Sequence, residues 1–199
     1  MCWNSTVSIN TFLITLFSIT LAYFNKTADS KLLFYIFAFS LIQLLEYFLW
    51  TNQKSVNLNN ILSNIGLLIL VLECYASINL IQSTNIRYYA CIVFSLLLFV
   101  GLFLHDYKSA NTTIGINKHL QWNWVSYQTL CTIIYLLFFI GSSFFWSKEL
   151  NIIKIFSIGS LVTASIWAYV AGGGMGTLWC WIANFISLYL LYGTVVGCI

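Results

Sequence analysis

A chain of 199 residues with 60% hydrophobic, 18% aromatic and only 7% charged side chains departs from soluble domains, in which about 25% of residues are charged. With a mean hydropathy of +0.88 it reads as an integral membrane protein, one transmembrane domain over residues 1–199 with no soluble domain, whose first partner is the lipid bilayer. The net charge of +3 comes from scattered Lys and Arg, so no basic stripe exists for nucleic acid.

Crossing hydrocarbon as a helix takes about 20 mainly apolar residues, and the sequence predicts an all-α polytopic bundle of about seven transmembrane helices. The spans are expected near Val7 to Phe24, Leu32 to Trp50, Ile61 to Ile81, Tyr88 to Leu104, Trp124 to Trp146, Ile152 to Val170 and Thr177 to Val196. The first lacks a basic n-region and a small-residue cleavage site, so it reads as a retained span. Proline is absent, which assigns any kink to Gly or Ser.

Seven crossings put the two ends on opposite sides. Lys26, Lys31, Arg87, Lys148 and Lys154 fall on one side, and Lys54, Lys108 and Lys118 on the other. The positive-inside rule then predicts the N-terminus outside or lumenal and the C-terminus cytoplasmic. The sequons at Asn4 and Asn111 agree, whereas the one at Asn25 falls on the cytoplasmic side.

In the second span Gln43, Glu46 and Trp50 share a helix face, and in the third Ser63, Gly66, Glu73 and Ser77 do, continued outward by Asn59. A small and polar stripe inside hydrocarbon should face protein. The last two spans carry small residues at 3–4 spacing: Ser157, Ser160, Ala164, Ala168 and Ala171, then Gly176, Cys180, Ala183, Ser187, Thr194 and Gly197. They predict a tight hairpin of spans six and seven, with Gly172 to Gly176 as its outer turn. Trp3, Trp50, Trp122, Trp124, Trp179 and Trp181 read as an outer interfacial belt and Trp146 as an inner anchor, with Trp50 also a candidate cavity wall.

A charge deep in a bilayer is costly and marks function unless it is a packing group. From the expected span ends, Glu46 lies near 6 Å deep and Glu73 near 18 Å, a difference of roughly 12 Å at 1.5 Å per residue. No Lys or Arg lies within a span to pair with them. A polar pathway for a proton, cation or small solute would pass Gln43, Glu46, Trp50, Glu73 and Ser77, entered from an outer mouth at His105, Asp106 and His119 in the longest loop. The six cysteines form no CxxC pair, and neither H-E-x-x-H nor G-x-S-x-G occurs. No catalytic, cofactor or metal motif is therefore assigned.

Seven spans resemble rhodopsins in number, but no Lys follows Lys154 to hold retinal. The count is also similar to that of small sugar transporters, whose proline-bearing helices have no counterpart here. The stretches "LLEYFLW" and "MGTLWCWIAN", with a preference for Asn, Ile, Lys, Phe and Tyr over Ala, Arg and Pro that suggests an AT-rich coding genome, resemble small uncharacterised multi-spanning membrane proteins of large DNA viruses of protists. That resemblance implies a host or virion membrane and no chemistry. Three function classes stay open: a proton, cation or solute pathway; a structural or interaction protein of a viral or host membrane, with a homo-oligomer or membrane-protein partner; and a membrane-embedded enzyme.

Overall fold

The computed structural model describes residues 4–115, 118–124, 130–147, 150–171 and 185–196. Its helices are α1 (Ser5–Asn25), α2 (Ser30–Thr51), α3 (Val56–Asn79), α4 (Thr84–Leu104), α5 (Leu130–Ser143), α6 (Asn151–Ala171) and α7 (Phe185–Val196). Four of them, α1 to α4, are long and apolar enough to cross a membrane, and the described parts of the other three are shorter apolar helices.

Local chemistry sets several ends. Asn4 caps α1 by accepting the Val7 N–H at 2.9 Å, satisfying a donor that the first turn leaves open. At its other end Lys26 takes a left-handed φ of 55°. Its N–H and that of Thr27 turn back onto the carbonyls of Tyr23 and Ala22, the αL closure usually left to glycine. Ser83 caps α4 through the Ile86 N–H.

The centre of the bundle is α2, buried around much of its circumference, with α3 beside it and antiparallel to it across the short turn 52–55. On its other side α2 meets α1, whose buried residues are Ser8, Thr15, Ser18 and Ala22. Small residues at this spacing let two backbones approach closely where lipid cancels the ordinary hydrophobic drive. By contrast α4 buries only Phe94 and Gly101 and leaves Leu96, Phe99 and Phe103 outward, the pattern of a peripheral helix facing lipid.

The contacts of the last helices depart from the expected hairpin of spans six and seven. Among the described residues the close neighbour of α7 is α1: Ser187 shares a hydrogen bond of 2.7 Å with Thr15, and Thr194 one of 3.1 Å with Thr27. In α6, Ser157 bonds the Tyr35 hydroxyl of α2 at 3.1 Å. Among the described residues the stripe of α7 meets α1, and Ser157 of the α6 stripe meets α2. The Gly172 to Gly176 turn, the first part of the seventh span, Ala183, Trp3, Trp179 and Trp181 lie outside the described residues.

Outside the helices the loop after α4 forms a two-stranded antiparallel hairpin, β1 (Thr112–Ile114) and β2 (Leu120–Trp122), with Thr112 opposite Trp122 and Ile114 opposite Leu120. Trp124 belongs to this hairpin's exit rather than to the start of a fifth span. At the opposite end of the bundle Ile81 and Trp146 form an isolated antiparallel bridge, and the Gln82 N–H donates to the Phe145 carbonyl at 3.1 Å. This bridge ties the ends of α3 and α5 together.

Candidate functional site

Two buried carboxylates lie at different levels of the α2–α3 pair. Because α3 begins at Val56 rather than at Ile61, Glu73 sits one and a half turns from the Asn79 end, level with Phe34 and Tyr35 of α2. Glu46 lies five residues, nearly one and a half turns, from Thr51. Their separation along the axis is therefore about 18 Å, wider than the helix ends expected from sequence imply.

Glu73 is 1% exposed. Its Oε2 accepts the Tyr135 hydroxyl at 2.7 Å, while Oε1, buried as well, has no hydrogen-bond partner among the described residues. An aromatic wall surrounds the pair. Tyr135 stacks on Phe139 at 5.4 Å, Tyr35 stacks on the same ring at 6.0 Å, and Trp146 meets Tyr35 edge-on at 5.2 Å. One turn further along α3, toward Asn79, Ser77 shares a hydrogen bond with Ser142 and donates to the Phe139 carbonyl. The Trp146 indole N–H donates to the Ser77 carbonyl at 2.9 Å. Hydroxyls thus continue from Glu73 toward the Asn79 end, whereas Leu70, Leu67 and Phe39 fill the level between Glu73 and Glu46.

Glu46 and Gln43 are also fully buried, at 0% and 1% exposed, so neither meets water at an open mouth. The hairpin packs on the neighbouring helix α3, against Asn59, Ser63 and Gly66. The Trp124 ring lies on Gly66, where an added Cβ would stand 2.5 Å from its Cη2 and 2.9 Å from Leu45 Cδ2, and Leu45 precedes Glu46. Trp122 stacks on Trp124 at 5.2 Å. Trp50, expected as a cavity wall, is half-buried with its indole nitrogen buried and unpartnered.

Side chains of α3 hold the hairpin down. The Asn59 amide donates to the Thr112 carbonyl at 2.9 Å and accepts the Thr112 N–H at 2.8 Å, as a neighbouring strand would. Ser63 and the Trp124 indole N–H both meet the Thr112 hydroxyl, at 2.9 and 3.0 Å. Asn60 donates to the carbonyls of Tyr107 and Ala110, and Asn64 donates to that of Tyr107. The asparagine run was visible in the sequence, but its partners lie 53 residues away for Asn59.

Two members of the expected outer-mouth group, His105 and Asp106, contact residues of their own loop. His105 meets the Tyr107 ring edge-on at 4.8 Å, and its partial burial holds the imidazole below its ordinary range. Asp106 accepts the Lys108 N–H at 3.1 Å, and hydrogen bonds from Ser109 and Lys108 hold its carboxyl low. His119 closes the β-turn through its carbonyl, and burial lowers its imidazole too. Among the described residues no three His, Cys, Asp or Glu side chains gather as a metal site. The sequence reading missed Tyr135, whose only signal was a tyrosine within the apolar run Ile133 to Ile140.

No protein family, no curated protein and no solved structure matches this chain.

Proposed function

We propose that this is a multi-pass protein crossing the membrane seven times, with its N-terminus outside, that conducts protons or cations past Glu46 and Glu73, and that the arrangement seen here is a closed state. The observation that carries the reading is the bare Oε1 of Glu73. A packing role would be met by a Gln or Ser at this position, both of which avoid the cost of a carboxyl in hydrocarbon. A carboxyl with one oxygen anchored by Tyr135 and the other vacant suits a group that takes up and releases a positive charge.

Closure has two parts: the Trp124 ring packed on Gly66 beside Leu45, and the apolar layer of Leu70, Leu67 and Phe39 between Glu46 and Glu73. Conduction requires both to open. One observation favours the structural alternative: Tyr135–Glu73, Tyr35–Ser157 and Ser77–Ser142 each tie two helices together. Liposomes carrying the parent or Glu46→Gln under a proton or potassium gradient separate the two. The pathway reading expects flux in the parent that falls in the variant. A folded parent that passes neither ion supports the structural reading.

A further inference from the structure

The pathway reading leaves open whether the charge taken up at Glu73 is a proton or a metal cation, and the surroundings of its oxygens distinguish them. A hard cation needs several oxygen ligands: Ca²⁺ takes about 6–8 and Mg²⁺ an octahedral set. Around Glu73 the hydroxyl of Tyr135 already donates to Oε2. The Tyr135 carbonyl takes the Cys74 thiol at 3.6 Å, and the Ser77 and Ser142 hydroxyls are engaged with each other and with the Phe139 carbonyl. The rings of Phe139 and Tyr35 stack beside Tyr135. Among the described residues the nearby oxygens other than Oε1 already take part in hydrogen bonds, so a cation would have to break this network to gather a ligand set. A proton needs only the one lone pair that Oε1 leaves free and no added volume.

We propose that Glu73 is a single-proton binding site that excludes metal cations, with Tyr135 as the positioning residue that fixes the carboxyl plane; this rests on the pathway reading for its use but not for its existence. On loading, hydronium gives its proton to Oε1, an O–H bond forms, the carboxylate becomes neutral, and water leaves; release is the reverse. The titratable groups facing the carboxyl are Tyr135 from α5, Tyr35 from α2 and Cys74 from α3 itself. The cations of the helices packed on α3 sit at helix ends: Lys31 in the first turn of α2, and Arg87 in the first turn of α4, donating to the Ile81 carbonyl.

The test is infrared difference spectroscopy on the full chain in lipid nanodiscs, stepping pH in sodium, potassium or calcium buffer. The expected result is a carbonyl stretch of a protonated carboxylic acid that disappears at alkaline pH, is missing in Glu73→Gln, and does not respond to the choice of cation. In Tyr135→Phe, which keeps the ring and its stacking, the band should move to higher frequency as its hydrogen bond is lost. That shift assigns the band even where Glu73→Gln does not fold. A band displaced by any of the cations at constant pH overturns the proposal, as does a folded parent with no pH-dependent band that Tyr135→Phe alters. A proton band without ion flux keeps this site and removes the pathway reading, whereas flux without the band removes this site alone.

Discussion

Trp124 rests directly on Gly66, its Cη2 only 2.5 Å from where a Cβ would stand, so the hairpin's cover over the α2–α3 pair is possible because position 66 has no side chain. The indole is not free to yield, because its N–H is held by Thr112 and its other face by Trp122. Gly66→Ala should destabilise the protein by about 1–3 kcal/mol, the usual cost of overpacking. Gly159, with open space around it, should accept Ala with no loss of stability. Thermal unfolding in detergent measures both, and equal effects would remove the steric argument.

The amide of Asn59 acts as a strand edge for Thr112. Asn59→Ala strands a buried N–H and carbonyl at a cost of about 1–3 kcal/mol, and Asn59→Asp keeps the acceptor but loses the donor. We expect limited proteolysis within 105–124 to speed up in both, and more in the Ala variant. Unchanged cleavage would mean the hairpin is held elsewhere.

Packing of α7 on α1 is tested by Ser187→Leu, which should disrupt folding because the hydroxyl is buried against Thr15. Leu188→Ala next to it, on an exposed position, should be tolerated. If both variants melt with the parent, the α1–α7 interface is wrong.

Much of this architecture was legible in the sequence. The starts and ends of α1, α2 and α4 follow the apolar runs within a few residues, because length and hydropathy alone decide where a helix can cross hydrocarbon. The start of α3 was not, since the Asn-rich stretch before Ile61 carries no apolar run, and only the carbonyls of 107–112 taking up the amides of Asn59 and Asn60 show why the helix begins there. Small-residue spacing told correctly that Ser187 and Ser157 face protein, but it carries no partner label. Ser8, Thr15, Ser18 and Ala22 of α1 are an equal stripe that went unread. The belt pattern places Trp124 at the interface because it records depth and not what the ring lies on, which is Gly66. Glu46 and Glu73 stand out in any reading, whereas Tyr135 becomes visible only through its hydrogen bond.

The two loop histidines give the hairpin end a pH dependence. Burial lowers His105 and His119 below their ordinary value of 6.5, so the folded state binds fewer protons than the unfolded one, and stability rises with pH. The contribution is complete above about pH 6.5 and is lost as pH falls below it toward the lowered folded values. Proteolysis of 105–124 should accelerate on acidification through this window, and the acceleration should be smaller in the double variant His105→Asn, His119→Asn. An identical profile in parent and variant would assign the effect to other groups.

Orientation is read by a glycosylation reporter fused to the C-terminus in microsomes. Seven crossings with the N-terminus outside leave the reporter unmodified. A glycosylated reporter would invert the assignment of ends.

The central claim is that Glu73 lies on a route for positive charge. Sealed liposomes with an internal pH dye, a potassium gradient and valinomycin drive proton entry electrically, and the comparison is between the parent and Glu73→Gln, each checked for folding by its thermal transition. The account predicts rapid acidification in the parent and the protein-free rate in the folded variant. Acidification in Glu73→Gln as fast as in the parent, or a folded parent no faster than empty liposomes, would contradict it.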